Sequence, residues 1–245
     1  MTYRHDEDLE FLGKLKSEDL DDLVYCLKYD KNGHPLHTED LTLSAGYHPD
    51  HNKYWQSVAT EIQCIGAGSF AQIWRDGHGV LYKEILTGVC DELQVGYDEH
   101  SGVEAIESRL LAKILGDALE KLTREELDDV TRETGIAVDK NSSIATLRTL
   151  FQIGGFKSYH MLLAIVGAIL KAFMNRGASH ANDAALIKAA TVLSPVGWAI
   201  NGILMMTDID GPTHRATIPI VMLISVLRRK HSSSRQADDI TPSRP

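Results

Sequence analysis

Residues 101–120 read SGVEAIESRLLAKILGDALE, and the spacing of their apolar positions sets the fold class. Val103, Ile106, Leu110 and Ile114 recur at helical intervals with Leu115 beside them, so they form one face of a helix and not the alternating face of a strand. Ser101 stands three positions before Glu104, a spacing at which a hydroxyl and a carboxylate satisfy each other's backbone N–H groups. Thr123 and Glu126 repeat that pattern ahead of a second helix, and Gly135 suits the left-handed residue that follows a helix end.

The same signals continue in both directions. Upstream, Leu81, Ile85, Val89 and Leu93 share one helical side, as do Trp55, Val58, Ala59, Ile62 and Ile65 after Asn52. Asp6 is placed to cap a short helix, Ser17 to cap the next, and Leu20, Leu23, Val24 and Leu27 form the stripe of that second helix. DKNGHPLHTED, residues 30–40, is a loop by its Asn-Gly and His-Pro pairs. Downstream, a helix over 144–153 is expected to stop at Gly154-Gly155. KSYHMLLAIVGAILKAFMNRG and NDAALIKAATVLSPVGWAINGILMM then give apolar helical stretches, the latter divided at Pro195. The expected fold is all-α. It divides into a short helical hairpin over 1–30, an acidic helical domain over 38–155, a more apolar and basic helical subdomain over 156–231, and a disordered polar tail over 232–245. Only Thr217 to Leu227 reads ambiguously between helix and strand.

Charge is divided just as unevenly. The chain of 245 residues carries a net charge of −9, yet residues 156–231 hold eight basic against three acidic side chains. That +5 calls for an anionic membrane surface, an acidic partner or an internal complement. Met161 to Met174 is too short to span a bilayer and includes Lys171, while Ala184 to Met206 is broken at Pro195 and includes Lys188. Contact with a membrane is therefore expected to be peripheral, through Trp198 and the basic end Arg228, Arg229 and Lys230. The opening MTYRHDEDLE lacks a basic start followed by an apolar run, which points to the cytoplasm. The acidic total argues against nucleic acid as a partner.

Catalytic signatures are sparse. IGAGSFAQIW with VLYKEI resembles a kinase glycine-rich loop and its lysine, Lys83, but no catalytic-loop or metal-holding partner motif follows it. A glycine-containing bend between helices is the simpler reading, and no nucleotide is expected there. The pairs His34/His37 and His48/His51 straddle prolines without a fixed carboxylate, so they read as solvated loop histidines and no metal is expected. Cys26, Cys64 and Cys90 lie far apart with no CxxC spacing and read as buried thiols. No catalytic residue and no cofactor are assigned. The polar candidates for a ligand site or for structural use are Glu61, Gln63, Arg75 and Tyr82 near the bend, with Asp208, Asp210 and Arg215 around the turn TDIDGPTHR. Arg215 precedes an apolar run and is expected to need Asp208, Asp210 or Glu61 as a partner.

WQSVATEIQCIGAGSFAQIWRDGHGVLYKEIL (55–86) and SPVGWAINGILMMTDIDGPTHRATIPIVMLISVLRR (194–229) together resemble the YaaW-type family of uncharacterised bacterial proteins. DEDLEFLGKLKSEDLDDLVYCL, residues 6–27, resembles a short domain of unknown function placed ahead of that family. The family is grouped by name with ubiquinol–cytochrome c chaperones, and the resemblance implies an assembly factor that holds apolar client segments near a membrane. The chain departs from that picture in showing no haem or quinone motif. The expectation is a non-enzymatic, chaperone-like binding module acting on a protein client or an anionic membrane surface through residues 156–231. The alternative is an enzyme with a polar site near residues 61–83.

Overall fold

The computed structural model describes residues 3–29, 49–69, 79–134 and 214–240, and among these the regular structure is helical. The α-helices are α1 (Asp21–Lys28), α2 (Trp55–Ser69), α3 (Tyr82–Glu92), α4 (Val103–Glu120), α5 (Arg124–Thr134) and α6 (His214–Ile240). Tight 3-10 turns at Glu10–Lys14, Ser17–Asp19 and His51–Tyr54 lead into α1 and α2. The expected boundary at Gly154-Gly155, the helix over 144–153 and the break at Pro195 lie outside the described residues.

α6 occupies the middle of the assembly and touches α1, α2, α3 and α4. Residues 217–228 are buried on every side, as befits a helix that is apolar all round. The ambiguous run Thr217 to Leu227 is thus helical. Its β-branched residues suit a strand, but the tertiary core decides, even though Pro219 removes one backbone donor from the early helix. The helix continues to Ile240, past Ser232 where the polar tail was expected to begin. Within that extension the Ser234 hydroxyl donates to the Lys230 carbonyl one turn earlier.

Around α6 the periodic faces pack as their spacing predicts. Leu20, which caps α1, and Leu23, Val24 and Leu27 within it join Val58, Ala59 and Ile62 of α2, Ile85 and Val89 of α3, and Ile106, Leu110, Ile114 and Leu115 of α4 in one core. Each such side chain contributes about 1.5–3 kcal/mol on burial. The Thr123–Glu126 box forms, with Thr123 N–H donating to the carboxylate at 2.7 Å and Glu126 N–H to the hydroxyl at 3.4 Å. The Ser101–Glu104 box does not, because α4 is capped at Gly102, one residue later, and no side chain caps it. Ser17 likewise leaves the cap of α1 to Leu20 and donates its hydroxyl to Asn52 Oδ1 at 2.8 Å.

Two backbone positions carry clear steric demands. A Cβ at Gly79 would sit 2.5 Å from Cβ of Gln63, so α2 and the start of α3 approach each other only through a glycine. Gln94, just past α3, holds φ at 54°, the left-handed conformation that disfavours a side chain. Gly79→Ala is expected to lower the urea midpoint clearly. Gln94→Gly should raise stability by roughly 0.5–1 kcal/mol by relieving that strain, and an unchanged or lower midpoint in the same urea titration would contradict this.

Candidate functional site

Three helices bring their most polar buried side chains to one point. Glu107 of α4 accepts from Nε of Arg228 on α6 at 3.1 Å to each of its oxygens, and from the Tyr82 hydroxyl of α3 at 2.7 Å. All three residues are buried. The Arg228 guanidinium also donates to the Asp8 carbonyl at 2.8 Å and lies 4.5 Å from the centre of the Phe11 ring. Guanidinium planes suit such stacked and forked contacts better than an ammonium would. Around this centre, Arg229 donates to the Ser108 hydroxyl at 2.6 Å and Lys230 pairs with Asp19.

Electrostatics follow from the burial. Desolvation raises the Glu107 carboxyl above its ordinary value despite the opposing pull of Arg228 and Tyr82. Desolvation also works against the Arg228 charge, but the Glu107 carboxylate outweighs it and keeps the guanidinium protonated. Tyr82 is driven well above its usual value by burial and then by Glu107, so it serves as a hydrogen-bond donor and not as a base. Burial pushes the Cys90 thiol up to about 12, which leaves it an inert core residue.

The polar candidates near residues 61–83 take separate paths. Gln63 holds the main chain of Arg4, and Lys83 donates to the carbonyls of Glu99 and Ser101 at 2.8 and 2.9 Å. Glu61 is buried and engaged. Gly66 and Gly68 lie within α2, and Lys83 lies on a helix, so neither has the setting of a kinase loop or its strand lysine. Tyr82 meets Glu107, a residue that periodicity alone leaves unremarked among the polar positions of α4. Arg75, Trp198, Asp208 and Asp210 lie outside the described residues, as does the side chain of Arg215.

His51 differs from the solvated loop histidine expected of it. It is buried, with Nε2 at 2.9 Å from Oδ1 of Asp21 and Nδ1 hydrogen-bonded to the Tyr54 hydroxyl. The reason is position: the turn His51–Tyr54 packs against the turns ahead of α1, which removes the ring from water. Among the described residues no group of three or more His, Cys, Asp and Glu side chains could hold a metal ion, and no helix is long and apolar enough to cross a membrane.

A family model described as a domain of unknown function (DUF3944) matches residues 3–37. A UPF0174 protein of Helicobacter pylori strain J99 is 40% identical over 245 residues, covering 96% of this chain and 96% of its own. Another from Helicobacter pylori strain 26695 is 39% identical, covering 78% of this chain and 97% of its own. The UPF0174 protein YaaW of Escherichia coli K12 is 28% identical, covering 96% and 99%. No solved structure matches. The chain belongs to the UPF0174 family.

Two measurements test the centre. Glu107→Ala strands a buried guanidinium and should cost about 3–5 kcal/mol, whereas Glu107→Leu with Arg228→Met removes both charges and should cost far less. Because the folded carboxyl of Glu107 titrates above the unfolded value, its contribution to stability is full below that unfolded value, 4.5, and is lost as pH rises through the folded one. Wild-type stability relative to Glu107→Gln should therefore fall as pH increases from about 4.5 toward neutrality. A difference that grows with pH across that window would refute the assignment.

Proposed function

We propose that this protein is a non-enzymatic binding module of the assembly or chaperone-like kind. Its described helices form a framework, and the apolar sequence 156–213, which the chain inserts between α5 and α6, meets an apolar client segment. What carries the reading is the use of the buried polar groups. Among the described residues, Glu107, Tyr82, Arg228, Gln63, Asp6 and His51 all hold one part of the fold to another, each with its polar atoms engaged by a partner within the protein.

The same observation supports a client over an anionic membrane. Arg228, Arg229 and Lys230, the basic end expected at a lipid surface, are directed to Glu107, Ser108 and Asp19. Between residues 156 and 213 the sequence then offers four cations against three carboxylates, too even a balance to drive binding to anionic lipid. Apolar contact is what remains to that stretch, and Met161 to Met174 and Ala184 to Met206 supply it.

Light scattering from a thermally unfolding model protein tests the proposal. The full chain should suppress aggregation near equimolar ratio, and Leu163→Lys with Val166→Lys should lose that effect while the framework's melting temperature stays unchanged. Equal suppression by the variant, or none by the wild type, would sink it. Flotation with anionic but not neutral vesicles, weakened by salt, would move the reading to the membrane.

A further inference from the structure

The N-terminal residues sit on the rest of the fold through interactions of the kind that read a peptide from another chain. Gln63 engages both main-chain groups of Arg4: its Oε1 accepts the N–H at 3.3 Å and its Nε2 donates to the carbonyl at 2.9 Å. The Arg4 guanidinium donates to the Gly79 carbonyl at 3.1 Å, and the Tyr82 N–H at the start of α3 donates to Oδ2 of Asp6 at 2.7 Å. Farther along, Arg228 takes the Asp8 carbonyl, Lys230 takes Asp19, and His51 takes Asp21. Beneath these polar groups Leu9, Leu12, Leu20, Leu23 and Leu27 are fully buried. None of these polar interactions joins sequence neighbours, so a unit arriving from a different molecule would satisfy them equally well.

We propose that residues 3–29 are an exchangeable unit, and that the surface formed by α2, α3 and α6 accepts the same unit from a second copy of this chain. The unit is matched by a family model of its own, over residues 3–37. Its covalent link to the next described residues is 30–48, which reaches about 60 Å when extended. Exchange of an identical element between protomers is a low-cost route to a dimer, because each hydrogen bond and ion pair that opens within one molecule closes again with the other. The equilibrium is then set by the effective concentration of the covalently linked unit, on the order of millimolar for short linkers. This inference does not depend on a client for residues 156–213.

Charge reversal across the interface tests it in the full chain. Asp19→Lys alone and Lys230→Asp alone each place like charges together. On mixing, an exchanged dimer pairs the reversed unit of one chain with the reversed helix of the other at one interface and the native Asp19 with the native Lys230 at the second, so both interfaces carry opposite charges. Native mass spectrometry at about 100 µM should therefore show a heterodimer, since relief of two repulsive pairs shifts the equilibrium about a hundred-fold below the millimolar range. Neither variant should form it with the wild type. The double variant in one chain should melt near the wild type. Heterodimer with the wild type equal to that between the variants would place association elsewhere and overturn the proposal, as would two folded variants that stay monomeric on mixing. Should a single reversal prevent folding, light and heavy isotope-labelled wild type mixed near 1 mM decides, and absence of a mixed dimer there overturns the proposal.

Discussion

A guanidinium and a carboxylate 121 positions apart share the interior of this fold, and the helices can be arranged only in ways that bring them together. α6 is apolar on all sides through its central turns, so dispersion and burial alone would tolerate several rotations and slides of it among its neighbours. Arg228 removes that freedom. With both carboxylate oxygens of Glu107 on its Nε and the Asp8 carbonyl on Nη2, the guanidinium fixes the rotation of α6 against α4 and against the N-terminal residues at once. Tyr82 adds α3 through the same carboxylate. Burying charge at this point costs solvation, and the gain is one arrangement in place of many.

The division of charge along the sequence has its explanation partly here. Residues 1–155 are strongly acidic and the last third is basic, and the chain neutralises part of that difference within itself: Glu107 with Arg228, Asp19 with Lys230. Composition alone leaves three outlets open, a membrane, an acidic partner or an internal complement. The internal complement accounts for the basic end of the C-terminal helix. An apolar helix ending in cations looks like a membrane-contacting element when read alone, and it looks like a core element once its cations are seen to face inward.

Helix existence was legible because it rests on local physics. The periodic stripes at Leu20 to Leu27, Trp55 to Ile65, Leu81 to Leu93 and Val103 to Leu115 each became a packed helical face, and the Thr123–Glu126 box closed as its spacing requires. Helix starts were less legible. Ser17 and Ser101 carry capping chemistry, yet each lies off the position where its helix begins, and a shift of one residue is enough to send a hydroxyl elsewhere. The polar centre was only half legible. Tyr82 stood out as a polar candidate, Arg228 stood out only as a cation expected at a membrane or client, and Glu107 reads as one more surface carboxylate on α4. Its burial is decided by a partner that arrives more than a hundred residues later, and spacing within a helix holds no trace of that.

The order of synthesis gives the same arrangement a kinetic consequence. α6 is the last described element of the chain, yet it is the one that α1, α2, α3 and α4 all touch. Until it arrives, the leucines of residues 9–27 lack the surface they pack on, and Glu107 lacks its cation. Closing such long-range contacts carries a loop-closure cost that local helix formation does not repay, so the core forms late and cooperatively.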